Sequence, residues 1–326
     1  MTRISDVDLP PDSDSVRFSI QIPGAADGKS WQDKVRRAED LGFYSISVPD
    51  HLSPELPQLA PFAALAAASA VSSRVRLAIT VVNNDFRHPV LVAKEVATID
   101  VLSGGRVDLG MGAGWLPADY TSSGIRSWDA AGERVSRLEE AIDLLRQLFT
   151  GDAVTFKGRF YEVTEFMSHP RPLQASVPLM VGGSGQRMLA IAARHADIIS
   201  LIVNNPQADS SMRAFAERLA WIADAGGRKR PDLTLGIRVV MGAVSNPGQS
   251  RHDAAAEIAS ARGVTMDDVL DSPFVLVGDQ AAIRDRIVEL HEQYGVSYFT
   301  LSENFAWQVS DLVAEFGSAP SRLANF

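Results

Sequence analysis

Residues 102–115 read LSGGRVDLGMGAGW, from Leu102 to Trp115. Ser103, Gly104 and Gly105 have turn chemistry, and Arg106–Gly110 after them reads as a short buried strand. The strand runs into a second glycine group, Gly110, Gly112 and Gly114, closed by Trp115. Glycine at the exit of a buried strand lets the backbone turn sharply or lets a flat or anionic group come close. The stretch is therefore expected to be strand four of an α/β protein and the floor of a ligand site. The plainer alternative for the second glycine group is a tight turn.

Outward from this stretch, strand and helix patterns alternate. Before it, Val16–Ile22 alternates as strand one, Tyr44–Val48 is strand two and Val75–Val82 is strand three. Between them, Ser30 is expected to cap a helix in a box with Asp33, and Trp31, Val35, Ala38 and Leu41 form its apolar stripe. Pro61–Val71 is an alanine-rich helix, and Pro89–Leu102 a helix that opens on proline. After the stretch, Arg134–Phe149 is strongly amphipathic, and Val154–Val163 reads as a hairpin turning at Lys157-Gly158. Leu179–Val181, Ile198–Leu201, Leu233–Met241 and Val296–Leu301 follow as strands five to eight. Gln186–His195, Met212–Ala225 and a helix capped by Asp279 and stopped by Gly295 lie among them.

Eight strands, mostly each followed by a helix, imply a parallel sheet and fit a (β/α)8 TIM-like barrel. Insertions are expected after the fourth helix, at 151–177, and after the seventh strand, at 245–277. A doubly wound open sheet is the competitor; it requires fewer strands and a glycine fingerprint directly after strand one. Residues 16–326 are expected to form a single domain, with 1–15 an Asp/Ser/Pro-rich flexible tail rather than a signal peptide.

The 326 residues carry 40 acidic and 31 basic side chains, a net charge of −9. Such a chain, with no basic block, argues against nucleic acid and anionic membrane as partners. Absence of cysteine removes disulfides, thiolate metal sites and a cysteine nucleophile. The most apolar run, Leu59–Val71, is too short to span a bilayer and is broken by Pro61. A cytoplasmic protein that acts on a small molecule, without a metal, is the expectation.

In a barrel the functional residues sit at the C-terminal ends of strands. Strand two ends in Pro49-Asp50-His51, where the histidine is either a proton donor or acceptor or a loop residue bonded to a neighbouring carboxylate. Strand three ends in Thr80, Val81, Val82, Asn83, Asn84 and Asp85. The asparagine amides suit a heterocycle edge, or else they cap the following helix. Strand five ends in Gly182-Gly183-Ser184-Gly185 before a helix, an arrangement that favours an anion over a plain turn. Two near-misses are set aside. Gly24–Ser30 has the end of a P-loop, but Pro23 stands where glycine is required. Gly182–Gln186 lacks the final glycine of a nucleophile elbow.

Six segments, in this order, resemble the bacterial luciferase-like monooxygenase superfamily, in particular its F420-dependent oxidoreductases. They are VPDH at 48–51, RHPVLVAKEVATIDVLSGGRVDLGMGAGW at 87–115, ERVSRLEEAIDLLRQLFTG at 133–151, FKGRFY at 156–161, PLMVGGSGQRMLAIAARHAD at 178–197 and LVGDQAAIRDRIVELHEQYGVSYF at 276–299. The resemblance implies a TIM-like barrel with a deazaflavin, F420, at the C-terminal mouth. It assigns a proton-handling role to His51 beside Asp50 and a non-prolyl cis peptide behind the ring at Thr80-Val81. It also implies ring-edge contacts from Val82, Asn83 and Asn84, cofactor contacts from Gly112 and Gly114, and phosphate binding by Gly182, Gly183, Ser184 and Gly185. Sugar-phosphate dehydrogenases of the family carry a glutamate after the strand-four glycines. Here Trp115 stands in that place, which suits an apolar or aromatic substrate.

The expected function is hydride transfer between F420 and a small organic substrate. An FMN-dependent two-component monooxygenase is the alternative within the fold, and a non-catalytic flavin-binding protein the alternative outside enzymes. A homodimer and a flavin- or F420-reductase partner are further implications of the resemblance.

Overall fold

A computed structural model describes residues 16–203, 209–227 and 230–318. The expected tail, 1–15, lies outside them. The elements run β1 (Arg17–Gln21), α1 (Gly28–Asp40), β2 (Ser45–Val48), α2 (Pro61–Ser69), β3 (Arg76–Asn83), α3 (Pro89–Ser103), β4 (Val107–Gly112), α4 (Pro117–Ser123) and α5 (Ala131–Leu148). Then come β5 (Ala153–Lys157), β6 (Glu162–Met167), β7 (Leu179–Gly183), α6 (Gln186–His195), β8 (Ile198–Leu201), α7 (Met212–Asp224) and β9 (Thr234–Arg238). The chain continues through β10 (Met241–Val244), α8 (Arg251–Arg262), α9 (Met266–Asp271), β11 (Val275–Gly278), α10 (Gln280–Tyr294), β12 (Val296–Ser302), α11 (Glu303–Gln308) and α12 (Ser310–Ser318).

Eight of these strands close a barrel in the order β1-β12-β9-β8-β7-β4-β3-β2, so the (β/α)8 TIM-like class is the observed one. The chain divides into two compact units. In one, residues 22–40 and 45–182, the pairs β2–β3, β3–β4 and β4–β7 are all parallel. In the other, β1–β12, β12–β9 and β9–β8 are likewise parallel. The barrel strands of both units are almost wholly buried, as parallel strands covered by helices are. Among the described residues no helix is long and apolar enough to cross a membrane, and no cluster of metal-ligating side chains occurs.

Three details depart from the sequence expectation. Helix α1 begins earlier than Ser30. The Asp27 carboxylate accepts the Ser30 N–H at 2.7 Å and the Ser30 hydroxyl accepts the Asp27 N–H at 3.1 Å, so the box is Asp27/Ser30. Asp33 instead pairs with Lys29 one turn back. Strand seven stops at Arg238, because Met241–Val244 pairs with Val275–Gly278 in a separate parallel ribbon. That ribbon, α8 and α9 bury a small core of their own, including Ala255, Ala259 and Val269. The second insertion thus starts inside the run read as strand seven. Finally, β4 extends to Gly112, so Gly110 and Gly112 lie within the strand and not past its end.

The opening half of the 102–115 stretch is structural. Gly104 ends α3 in the left-handed conformation, at φ 73°. Arg106 then ties the N-terminal end of β4 to its neighbours. Its guanidinium donates to the carbonyls of Ser103 at 2.7 Å, Val75 at 2.6 Å and Ser72 at 2.9 Å. That end of a barrel serves stability rather than chemistry. Arg106→Met is expected to destabilise the fold by about 2–4 kcal/mol, since three carbonyls lose a charged donor. A urea unfolding curve reads the loss.

Candidate active site

At the other end of β3, the Thr80–Val81 peptide is cis, at the position the resemblance implied. The β3–β4 register shifts there, between Ile79 and Val82. The bulge explains the strand-four glycines. A Cβ on Gly112 would lie 2.6 Å from Val81 Cγ2, and one on Gly110 would overlap the Ile79 carbonyl oxygen. These glycines make room for the bulged backbone of β3. Gly110 and Gly112 thus have a packing role against β3. Gly114, past the strand, has φ 75°, and its Cβ would press on the Asn83 amide and the Tyr120 hydroxyl.

His51 follows β2. Its Nδ1 lies 2.7 Å from Asp119 Oδ2, and the other oxygen of Asp119 accepts the N–H groups of Leu52 at 2.8 Å and Ser53 at 2.7 Å. Asp119 is buried, in the first turn of α4. A carboxylate so held fixes the imidazole with Nδ1 as donor and leaves Nε2 for chemistry. Trp115 meets the His51 ring edge-on, with centroids 5.7 Å apart, and is itself 43% exposed. The neighbouring carboxylate of the loop-histidine alternative is present, and it is what orients the ring. Asp119 escaped the sequence reading because it lies 68 residues from His51 in the chain. Its only signal was an acidic residue just after Pro117, a helix-start pattern.

Asp50 is buried against Arg87 at 2.6 Å and accepts the Asn83 N–H at 3.2 Å. Burial pushes its carboxyl up, and the Arg87 guanidinium opposes the shift. Asn83 fulfils the capping alternative: its Oδ1 accepts the Asp85 N–H at 3.1 Å and lies 3.2 Å from the Tyr120 hydroxyl. Asn84 donates to the Tyr161 hydroxyl at 3.0 Å. Both side chains are engaged inside the protein.

A buried polar layer supports these loops. Asp85 pairs with Arg137 at 2.6 Å and accepts from Tyr120 at 3.0 Å. Burial raises the Tyr120 hydroxyl well above the usual phenol range. Arg134 donates to the carbonyls of Ala113 at 3.2 Å and Gly114 at 3.4 Å and lies 3.6 Å over the Trp128 ring. The exit loop of β4 is therefore clamped from α5. Beside His51, a cleft of about 410 Å³ is lined by Pro23, Gly24, Ala25, Pro57, Gln58 and Leu59. It adjoins the histidine through Gln58, whose Oε1 accepts the His51 N–H at 3.2 Å.

In the second unit, β7 delivers Gly183 and Ser184, and Gly185 is the N-cap of α6 with no side chain capping the helix. A Cβ on Gly183 would meet Met188 Cγ at 2.5 Å, so the turn depends on glycine there. An uncapped helix start offers backbone N–H groups to an anion. Gly182, the preceding residue, is buried within β7. Strand β9 ends on Arg238, which donates to Gln21 Oε1 at 2.8 Å and whose pKa burial lowers.

Comparison with known proteins agrees with this architecture. The family model described as luciferase-like monooxygenase matches residues 17–297. An F420-dependent glucose-6-phosphate dehydrogenase of Intrasporangium calvum is 32% identical over 231 residues, 68% of this chain and 67% of that protein. The enzyme of the same description from Microbacterium testaceum is 34% identical over 208 residues, 60% of this chain and 59% of that one. The chain thus spans between half and about two thirds of the length of such relatives. Among solved structures, the coenzyme F420-dependent tetrahydromethanopterin reductase of Methanopyrus kandleri superposes with a TM-score of 0.72 at 19% identity, covering 93% of this chain and 98% of its own. At that identity the likeness is one of fold. With the family model spanning nearly all the described residues, the chain belongs to the luciferase-like monooxygenase family.

Proposed function

We propose that the protein is an F420-dependent oxidoreductase that passes a hydride between the deazaflavin and a small, mainly apolar or aromatic organic substrate. The observation that carries this reading is the His51–Asp119 pair set against the exposed Trp115. When bound, the deazaflavin supplies a hydride donor or acceptor at its C5 and so carries the redox chemistry. The relatives named as F420-dependent support that cofactor over FMN.

This chain's own residues orient and protonate. Asp119 holds the His51 ring through Nδ1, and Nε2 gives or takes the proton at the substrate heteroatom. Trp115 and the cleft between residues 23–25 and 57–59 offer an apolar wall with Gln58 as a polar partner. The bulge at Thr80–Val81 and the Val82–Asn84 backbone are proposed to back the ring, with Gly112 and Gly114 keeping side chains out of the way. The donors of the Gly183–Gly185 turn fit a phosphate of the cofactor. Gly183→Ala is expected to weaken F420 binding by about tenfold, because Met188 must shift and the turn with it. Isothermal titration measures it.

The substrate class is tested by following oxidation of reduced F420 with two sets of acceptors. Apolar aromatic carbonyl or enone compounds are expected to exceed the lactone of glucose 6-phosphate by at least about tenfold in kcat/KM. Faster turnover of the sugar phosphate pair, in either direction, would overturn the apolar assignment.

A further inference from the structure

We propose that Arg218 is the positioning residue of the phosphate turn, a role that rests on the reading of Gly183–Gly185 as an anion site. Arg218 stands in the middle of α7, 8% exposed. Its Nε donates to the Ser184 carbonyl at 3.4 Å and one terminal nitrogen donates to the Asp209 carbonyl at 2.9 Å. The remaining terminal nitrogen, Nη1, is buried with no hydrogen-bond partner among the described residues.

Two consequences follow for the turn. In a trans peptide the C=O and the next N–H point in opposite directions. Drawing the Ser184 carbonyl toward Arg218 therefore turns the Gly185 N–H away from α7, at the uncapped start of α6. The guanidinium also places a positive charge beneath that helix start. Among the described residues no carboxylate makes an ion pair with it; Asp209 and Glu217 act on it only through the field. The Asp209 carboxylate is taken up by Ser211 and by Arg213 at 2.6 Å, and Arg218 receives only its main-chain oxygen. A fixed cation and an oriented N–H favour the same ligand, a phosphate monoester or diester.

The residue acts through Ser184 and through its field, so its signature is selectivity for phosphate and not fold stability. The test compares Kd values of the full-length protein for F420 and for the ribityl deazaflavin (the riboside) that lacks the phosphate. Arg218→Met keeps the length and packing of the stem and removes charge and donors. It is expected to raise the F420 Kd by about 30-fold and leave the riboside unchanged. Arg218→Lys keeps the charge but not the fork and is expected to lose about fivefold for F420 alone; it answers the same question where the Met variant does not fold. Equal weakening of both compounds, or no weakening of F420, overturns the proposal. So does a wild type that binds both compounds equally. FMN and riboflavin form a second pair. Arg218-dependent preference for FMN over riboflavin, with no F420 binding, would sink the F420 reading while sustaining the role of Arg218.

Discussion

His51→Ala is expected to lower kcat by about 10²–10⁴-fold, the usual contribution of a positioned general acid or base. The F420 Kd should change by less than about threefold, because the imidazole is proposed to serve the proton and not to hold the cofactor. The geometry behind this expectation is specific. Asp119 receives two backbone N–H groups on one oxygen and the His51 ring on the other, all at 2.8 Å or less. Asp119→Asn removes an acceptor from one side of that arrangement, and its amide would face donors. A loss in kcat of about 10–100-fold is expected there, smaller than at His51 because the imidazole remains. Steady-state kinetics and a binding titration on each variant check both. Parallel loss of kcat and cofactor affinity at His51 would mark it as a binding residue.

Gly110→Ala is expected to destabilise the protein by about 3 kcal/mol or more, the largest stability effect of any single methyl group added to the 102–115 stretch. The new Cβ would overlap the Ile79 carbonyl oxygen and lie 3.0 Å from Val81 Cγ1. Both neighbours belong to the bulge of β3, and a backbone oxygen cannot swing aside as a side-chain end can. Gly104→Ala supplies the contrast. Nothing lies within 4 Å of its added Cβ, but its φ of 73° is left-handed. That costs only about 1–2 kcal/mol. Urea unfolding of the two variants separates a packing requirement from a conformational one. Equal losses would mean that the bulge does not govern strand four.

The barrel was legible because its period is coarse and repeated. Helix α6 and strand β8 have the expected boundaries, 186–195 and 198–201, where a strong stripe and a short apolar run leave little latitude. His51 was legible as a histidine at a strand exit. Its partner was not, since Asp119 comes from α4 and nothing local links the two. The asparagines at the end of β3 offered two roles, and Asn83 took the local one, because a cap two residues away is always within reach. The strand-four glycines were read as space for a ligand, and Gly110 and Gly112 are also the space that Val81 requires. A sequence shows that a side chain is missing without showing what fills the gap. Arg218 looked like one more helix residue, since only the packed structure brings Ser184 against it.

Side-by-side equilibrium titration of the purified protein with F420 and with FMN is the most direct measurement. An F420 Kd of about 10 µM or below, with FMN at least about 100-fold weaker, is the expected result. Micromolar FMN binding with no binding of F420 would contradict it and leave a flavin monooxygenase in its place.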